Sequence, residues 1–383
     1  IYNMRLFLLL IPFFLLSCGH SSGASSNNDT NTGNGGHNIT VEVPEGSPCT
    51  SGEFYQLRTK ECIALKHPQW GFRSFDVPKE NVYKLQTCTQ EALYDLLNQV
   101  PSEGGKVILP ECTIQVDDTI GLYDNIIFEG AGVGKTIISD TSHDIVSLRG
   151  KNIIVRKMTL EGNGKALGGI VGTYNKGNIL IENTEIKNLT GSGIYLVTDQ
   201  VQANSQITIR QNSISHTLHG IVIKNRASAK MLIYSNNLFD NNEYGIDISN
   251  TSDIEISGNF LHDNYYAGAK SPSADGLYYF HNSINYNGKA DDPEERAGIV
   301  YMLSNPTAKI YVENNDLSNN GGPAFAGWDA HFAYLLLRGN NVTNSQDSNG
   351  YNIKAVGIDN IDVYGDQGRI WTGEGNEWRV HYH

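Results

Sequence analysis

Ile207-Thr-Ile209-Arg-Gln-Asn212-Ser-Ile214 is answered further along the chain by Met231-Leu-Ile233-Tyr-Ser-Asn236-Asn-Leu238 and Ile254-Glu-Ile256-Ser-Gly-Asn259-Phe-Leu261, then by Leu277-Tyr-Tyr279-Phe-His-Asn282-Ser-Ile284. Each stretch reads apolar, any, apolar, two of any, Asn, any, apolar, and a turn and a Gly-Ile-x-Ile or its equivalent follow. The Asn column extends backward to Met158 and Thr184 and forward to Asn315 and Asn340, with spacings of 26, 28, 24, 23, 23, 33 and 25 residues. A spacing this regular marks an internal repeat.

Within each unit the apolar residues alternate with period two, which predicts short strands rather than helices. Asn tolerates the left-handed conformation that a sharp corner between strands demands, and this is the expected role of the Asn column. A unit of about 23 residues with three short strands cannot close a sheet alone; stacked on its copies it forms parallel sheets about 4.8 Å apart. The expected fold is an all-β, right-handed parallel β-helix with coils of about 23 to 28 residues, covering residues 86–383.

Outside the repeat, the chain of 383 residues has a net charge of −13 and no basic run, which disfavours nucleic acid as a partner. Met4-Arg5, an apolar run over residues 6–16 and then Ser17-Cys18 have the layout of an export signal. Leu15-Leu16-Ser17-Cys18 resembles the lipobox of bacterial lipoproteins. The resemblance implies lipidation at Cys18 and an outer-membrane lipoprotein facing the periplasm or the cell surface; an ordinary cleaved signal is the alternative. Residues 19–40 are rich in Ser, Asn and Gly and read as a tether. Without Cys18, four cysteines remain, which in an oxidising compartment suggest two disulfides. Of the three pairings, Cys49 with Cys62 and Cys88 with Cys112 is favoured.

Residues 41–85 read as a small disulfide-containing module in which Trp70, Phe72 and Phe75 are cap or packing residues. Residues 89–100 read as a helix with Thr89 at its N-cap and leucines at helical spacing. This helix, followed by Gly104-Gly105-Lys106-Val107-Ile108-Leu109-Pro110 and Gly130-Ala131-Gly132, resembles the N-terminal cap and first coils of the pectate-lyase-like superfamily. The resemblance implies a helix that plugs the open end of the stack. After Asn340 the pattern decays, and Trp371 and Trp378 are expected to close the other end.

If the Ile side chains of Gly-Ile-x-Ile point inward, the intervening residues point outward. The first outward column is then Val171, Tyr195, Val222, Asp247, Lys270, Val300 and Ala326; a second includes Val197, Lys224 and Ser249. Alternation does not orient the residue before the Gly, a column that includes His219 and Tyr244. Reactive groups therefore concentrate in four adjacent coils at Tyr195, His219, Lys224, Tyr244, Asp247 and Lys270, with Arg226, Arg296, Tyr265 and Tyr266 as candidate rim residues. These side chains are close enough to surround one sugar ring.

Abstraction of a uronate C5 proton needs a neutralised carboxylate, a base and an acid. His219 or Lys224 is the candidate base and Tyr244 the candidate acid. Lys270 or Arg226 would pair with the carboxylate, while Asp247 orients the His or Lys or shares a proton with the substrate carboxylate. Tyr244-Gly-Ile-Asp247 resembles the Tyr-Gly-(Phe/Ile)-Asp-Pro-His motif of mannuronan C5-epimerases, β-helices related to alginate lyases. Ile248-Ser249 stands where that family has Pro-His, so the motif's His has no counterpart there, and His219 in the preceding coil is the candidate substitute. The resemblance implies β-elimination or C5 epimerisation on an acidic polysaccharide, alginate first, by a monomer. No cofactor is required, with calcium left open. Asp291, Asp292, Glu294 and Glu295 cluster in an insertion and read as a solvated loop. A non-catalytic glycan-binding or envelope protein is the alternative from another class. A glycoside hydrolase would want two or three facing carboxylates, and only Asp247 is legible on the central face.

Overall fold

The computed structural model describes residues 48–50, 52–56, 59–72, 81–173, 177–198, 201–202, 204–224, 229–293, 295–302, 305–328, 332–373 and 379–383. The export signal with Cys18, the tether, Phe75, Arg226, Glu294 and Trp378 lie outside them.

Among the described residues the Gly-Ile-x-Ile strands and their equivalents form one parallel sheet of eleven strands in sequence order, from Ile120–Leu122 to Ile370–Trp371. The other two strands of each coil stack in the same way: Gln206–Arg210 on Lys230–Tyr234, and Ser213–Ser215 on Asn237–Phe239. In the long strands Ile153–Glu161 and Ile179–Lys187 both segments run through the corner as one element. The interior is a column of aliphatic side chains, with Ile207, Ile209, Ile214, Ile221 and Ile223 all fully buried. Burying each such side chain is worth about 1.5–3 kcal/mol, and stacking repeats the gain coil after coil.

The Asn column does a different job from the one expected. The left-handed residue at that corner is the one before it: Gln211, Ser235 and His281 have φ of 56°, 55° and 53°. The Asn itself forms a buried ladder. Nδ2 of Asn212 donates to Oδ1 of Asn236, Asn236 to Asn259 and Asn259 to Asn282, each at 3.0 Å, and each amide also donates to a backbone carbonyl. A side-chain amide both donates and accepts, so one residue per coil satisfies buried backbone groups and links to the next copy. A second ladder runs through Asn241, Asn264, Asn287 and Asn320. His216, Asp240 and Asp263 occupy the left-handed positions of that second corner.

The helix is Gln90–Asn98, with the Thr89 hydroxyl accepting from the Ala92 N–H. It buries Leu93 in the same core as Val107 and Leu109. The Cys49–Cys62 and Cys88–Cys112 disulfides are both formed. The described part of the 41–85 module is a packing element rather than a cap. Its hairpin, Glu53–Tyr55 with Cys62–Ala64, lies along the flank of the solenoid, where Phe54, Leu65 and Trp70 cover Leu232 and Tyr234. Phe72 continues the cover over Ile154 and Leu180. The fully buried Glu255 anchors it, accepting from the backbone N–H groups of Lys66 and His67 at 2.9 and 2.6 Å. Strand Val82–Lys84 then pairs with Gly105–Ile108, so pairing in the stack begins just ahead of residue 86.

Candidate active site on the eleven-stranded sheet

Register across the sheet places Val171, Tyr195, Val222, Asp247, Lys270, Val300 and Ala326 side by side in that order, as alternation predicted. Outward does not mean exposed here. Val222, Val300 and Ala326 are buried, and Tyr244, Ala267, Ala297, Val300 and Ala326 form an apolar cluster of their own. The described residues of the insertion, 285–293 and 295–296, run beside this cluster, tied down by Gly288 N–H to Asn264 O and Ala290 N–H to Tyr265 O, at 3.1 and 2.9 Å.

Tyr244 is the centre of the site. Its side chain is buried against His219 on one side, with parallel rings and centroids 5.6 Å apart, and against Tyr266 at 5.5 Å. The phenol oxygen accepts from Lys270 Nζ at 2.8 Å and donates to Glu295 Oε2. Lys270 Nζ is also 3.3 Å from Glu295 Oε1 and lies 4.5 Å from the centroid of the Tyr244 ring. Burial, the hydrogen bond to Glu295 and the charges of Glu295, Glu243 and Asp247 push the Tyr244 phenol well above its ordinary range. It is a protonated donor.

His219 is largely buried. Desolvation, reinforced by Lys270 and Lys224, lowers its pKa to about 4, so the imidazole is neutral at physiological pH. Nε2 lies 3.4 Å from Glu243 Oε2, while Nδ1 is buried without a hydrogen-bond partner among the described residues. The carboxylate favours the tautomer protonated at Nε2 and leaves the lone pair on Nδ1. Asp247 Oδ1 is likewise buried and unpartnered, and burial raises the Asp247 pKa despite Lys270 and Lys224. Burial also raises that of Glu243.

The remaining assignments divide. Asp247 does not orient the His; the carboxylate beside His219 is Glu243. Lys224 is exposed, with Nζ 5.5 Å from the Tyr195 ring centroid, which sets those two at the edge of the site. Tyr265 is exposed and packs against Tyr266 at 5.4 Å, a rim position. Arg296 follows Glu295 in the insertion, its Nε buried and unpartnered among the described residues. Asp291 and Asp292 are exposed, as a solvated loop requires. Glu295 is not: its side chain is only 18% exposed.

Sequence reasoning therefore missed two carboxylates. Glu243 sits at a bend where alternation assigns no direction. The unit of 33 residues announced the insertion carrying Glu295, but a spacing cannot show which way a loop folds. With Asp247 they make three carboxylates around Tyr244 and Lys270. Among the described residues no group of three or more His, Cys, Asp or Glu side chains is arranged to hold a metal ion.

No curated protein sequence matches the chain. Among solved structures, an alginate lyase from a Paenibacillus species superposes with a TM-score of 0.53 at 12% identity, over 78% of this chain and 99% of that one. The A-module of an Azotobacter vinelandii mannuronan C-5 epimerase is 16% identical over 79% of this chain and 98% of that one, with a TM-score of 0.41. The catalytic unit of an α-1,3-glucanase from Streptomyces thermodiastaticus is 11% identical over 90% and 70%, at 0.46. At 12% identity the likeness to the lyase is one of fold. Residues 111–261 and 200–367, together more than half of the chain, match the family described as a right handed beta helix region. The chain belongs to the right-handed β-helix family.

Proposed function

We propose that the protein is an extracytoplasmic, lipid-anchored enzyme that acts on an acidic polysaccharide, alginate first, by abstraction of a uronate C5 proton followed by β-elimination or epimerisation. One observation carries this reading: Tyr244 and Lys270 already hold a carboxylate, that of Glu295, beside a neutral His219 with a free nitrogen. A uronate carboxylate bound to the same pair would have its charge offset by Lys270, which acidifies C5. With the carboxylate passed to Lys270, the Tyr244 hydroxyl would be released to return a proton to C5 or to the departing glycosidic oxygen, and His219 Nδ1, buried in the resting site, would take the C5 proton once the ligand had displaced Glu295 and uncovered it. Glycoside hydrolysis is the second reading, favoured by Asp247 and Glu243, whose raised pKa values suit a general acid, together with Glu295.

Incubating the purified protein with alginate and pectin separates these readings. Ultraviolet absorbance from a new conjugated double bond indicates elimination, and deuterium entering C5 from heavy water without that absorbance indicates epimerisation. New reducing ends with neither signal indicate hydrolysis. None of the three on any polysaccharide leaves a glycan-binding or envelope protein.

A further inference from the structure

We infer that Glu295 is an internal stand-in for the substrate carboxylate, one that a ligand must displace from Tyr244 and Lys270, and that it thereby restricts the site to carboxylated sugars. The inference rests on the uronate reading above and adds a residue that sets its specificity.

Glu295 does not belong to the repeat. It comes from the insertion that lengthens one coil to 33 residues, and it reaches back to the face built by the two preceding coils. Both of its oxygens are engaged, Oε2 by the Tyr244 hydroxyl and Oε1 by Lys270 Nζ. In this position it takes up the lysine charge nearest the phenol. A uronate arriving with Glu295 in place would meet three carboxylates, Asp247, Glu243 and Glu295, against two ammonium groups, Lys224 and Lys270. With Glu295 withdrawn the count is two against two, and a single oxyanion can bridge phenol and ammonium as Glu295 does. A neutral sugar offers no such oxyanion and cannot replace the lost ion pair. Exchange between like partners is cheap, whereas leaving the partly buried Lys270 ammonium without a replacement is not.

If the resting protein holds Glu295 on the pair about nine-tenths of the time, apparent affinity for a carboxylated ligand is reduced about tenfold. The test is calorimetric binding of a mannuronate trisaccharide and of cellotriose to the full chain and to Glu295→Gln, with circular dichroism melts to confirm folding. Glu295→Gln is expected to bind the mannuronate probe about tenfold more tightly, and Lys270→Met added to it is expected to abolish the gain. Glu295→Ala, which removes the side chain's hydrogen bonds as well, is expected to show at least the same gain. Equal or weaker mannuronate binding by both Glu295 variants overturns the inference, as does no mannuronate binding by any form. Cellotriose, which must displace the same carboxylate and puts no oxyanion in its place, is expected to gain at least as much from Glu295→Ala, and an unchanged cellotriose affinity in that variant overturns the claim that Glu295 sets the specificity. Turnover is scored separately: a protein that binds as expected but yields no unsaturated or C5-exchanged product sinks the enzymatic reading and leaves this one standing.

Discussion

The imidazole of His219 lies parallel to the phenol of Tyr244, within 1° and at 5.6 Å between centroids, although the two residues belong to successive coils 25 positions apart. Residues just before the Gly of adjacent Gly-Ile-x-Ile strands are stacked by the sheet itself, so any ring pair placed there faces across one strand spacing. A neutral nitrogen base and a protonated hydroxyl are thereby held together without a dedicated loop.

Removing only the hydroxyl keeps this stack. Tyr244→Phe is expected to lower kcat/KM on a uronan by about 10²- to 10⁴-fold, the usual contribution of a general acid or base. The check is initial rates beside thermal melts, and a variant that melts like the wild type and turns over normally would remove Tyr244 from the chemistry.

The state of His219 sets a pH signature. Its folded pKa, about 4, lies below the ordinary imidazole value of 6.5, so between those values the unfolded chain binds the extra proton. Its contribution to stability is thus complete above pH 6.5 and is lost as pH falls toward 4. Denaturant titrations at neutral pH and near pH 5 should show a steeper loss for the wild type than for His219→Asn. In activity, a base with this pKa should already work on the acid side of neutrality, and a profile that rises only around pH 6.5 would contradict the buried setting.

Away from this site, Arg210 and Glu182 form a fully buried pair, with Arg210 also donating to the Tyr234 hydroxyl at 2.9 Å. Arg210→Met leaves the buried Glu182 carboxylate with Arg156 as its remaining ion-pair partner among the described residues, and a loss of about 3 kcal/mol is expected in urea unfolding. Adding Glu182→Leu should recover part of it. A double variant no better than the single one would show that packing, not charge, is what the arginine supplies.

The asparagine ladder is tested at its middle rung. Asn259→Ala takes the side-chain donor from the Ile233 carbonyl and the side-chain acceptor from the Asn236 backbone N–H, while Asn282 Oδ1 keeps the Asn259 backbone N–H and Asn236 Nδ2 keeps the Ile209 carbonyl. At about 1–3 kcal/mol for each buried group left unsatisfied, a loss of roughly 3 kcal/mol or more is expected. The exposed Asn341→Ala serves as the control, with little change in the same melts. Equal effects at the two positions would argue against the ladder.

The period-two alternation around Ile207 and Ile209 and the recurrence of Asn212, Asn236, Asn259 and Asn282 were enough to determine a parallel β-helix. Both are properties of a single coil copied along the chain, and an aliphatic interior is bought only by stacking those copies. The outward order Val222, Asp247, Lys270, Val300 followed for the same reason, because register in a parallel stack is set by the repeat. What alternation could not supply was direction wherever the chain bends or leaves the repeat. The orientation of Tyr244, the approach of Glu243 to His219, the return of Glu295 onto Lys270 and the course of the Cys49–Cys62 hairpin along the flank were decided by tertiary structure. Each depends on contacts between segments with no fixed sequence spacing, and burial, charge and hydrogen bonding across those contacts set the chemistry of the site.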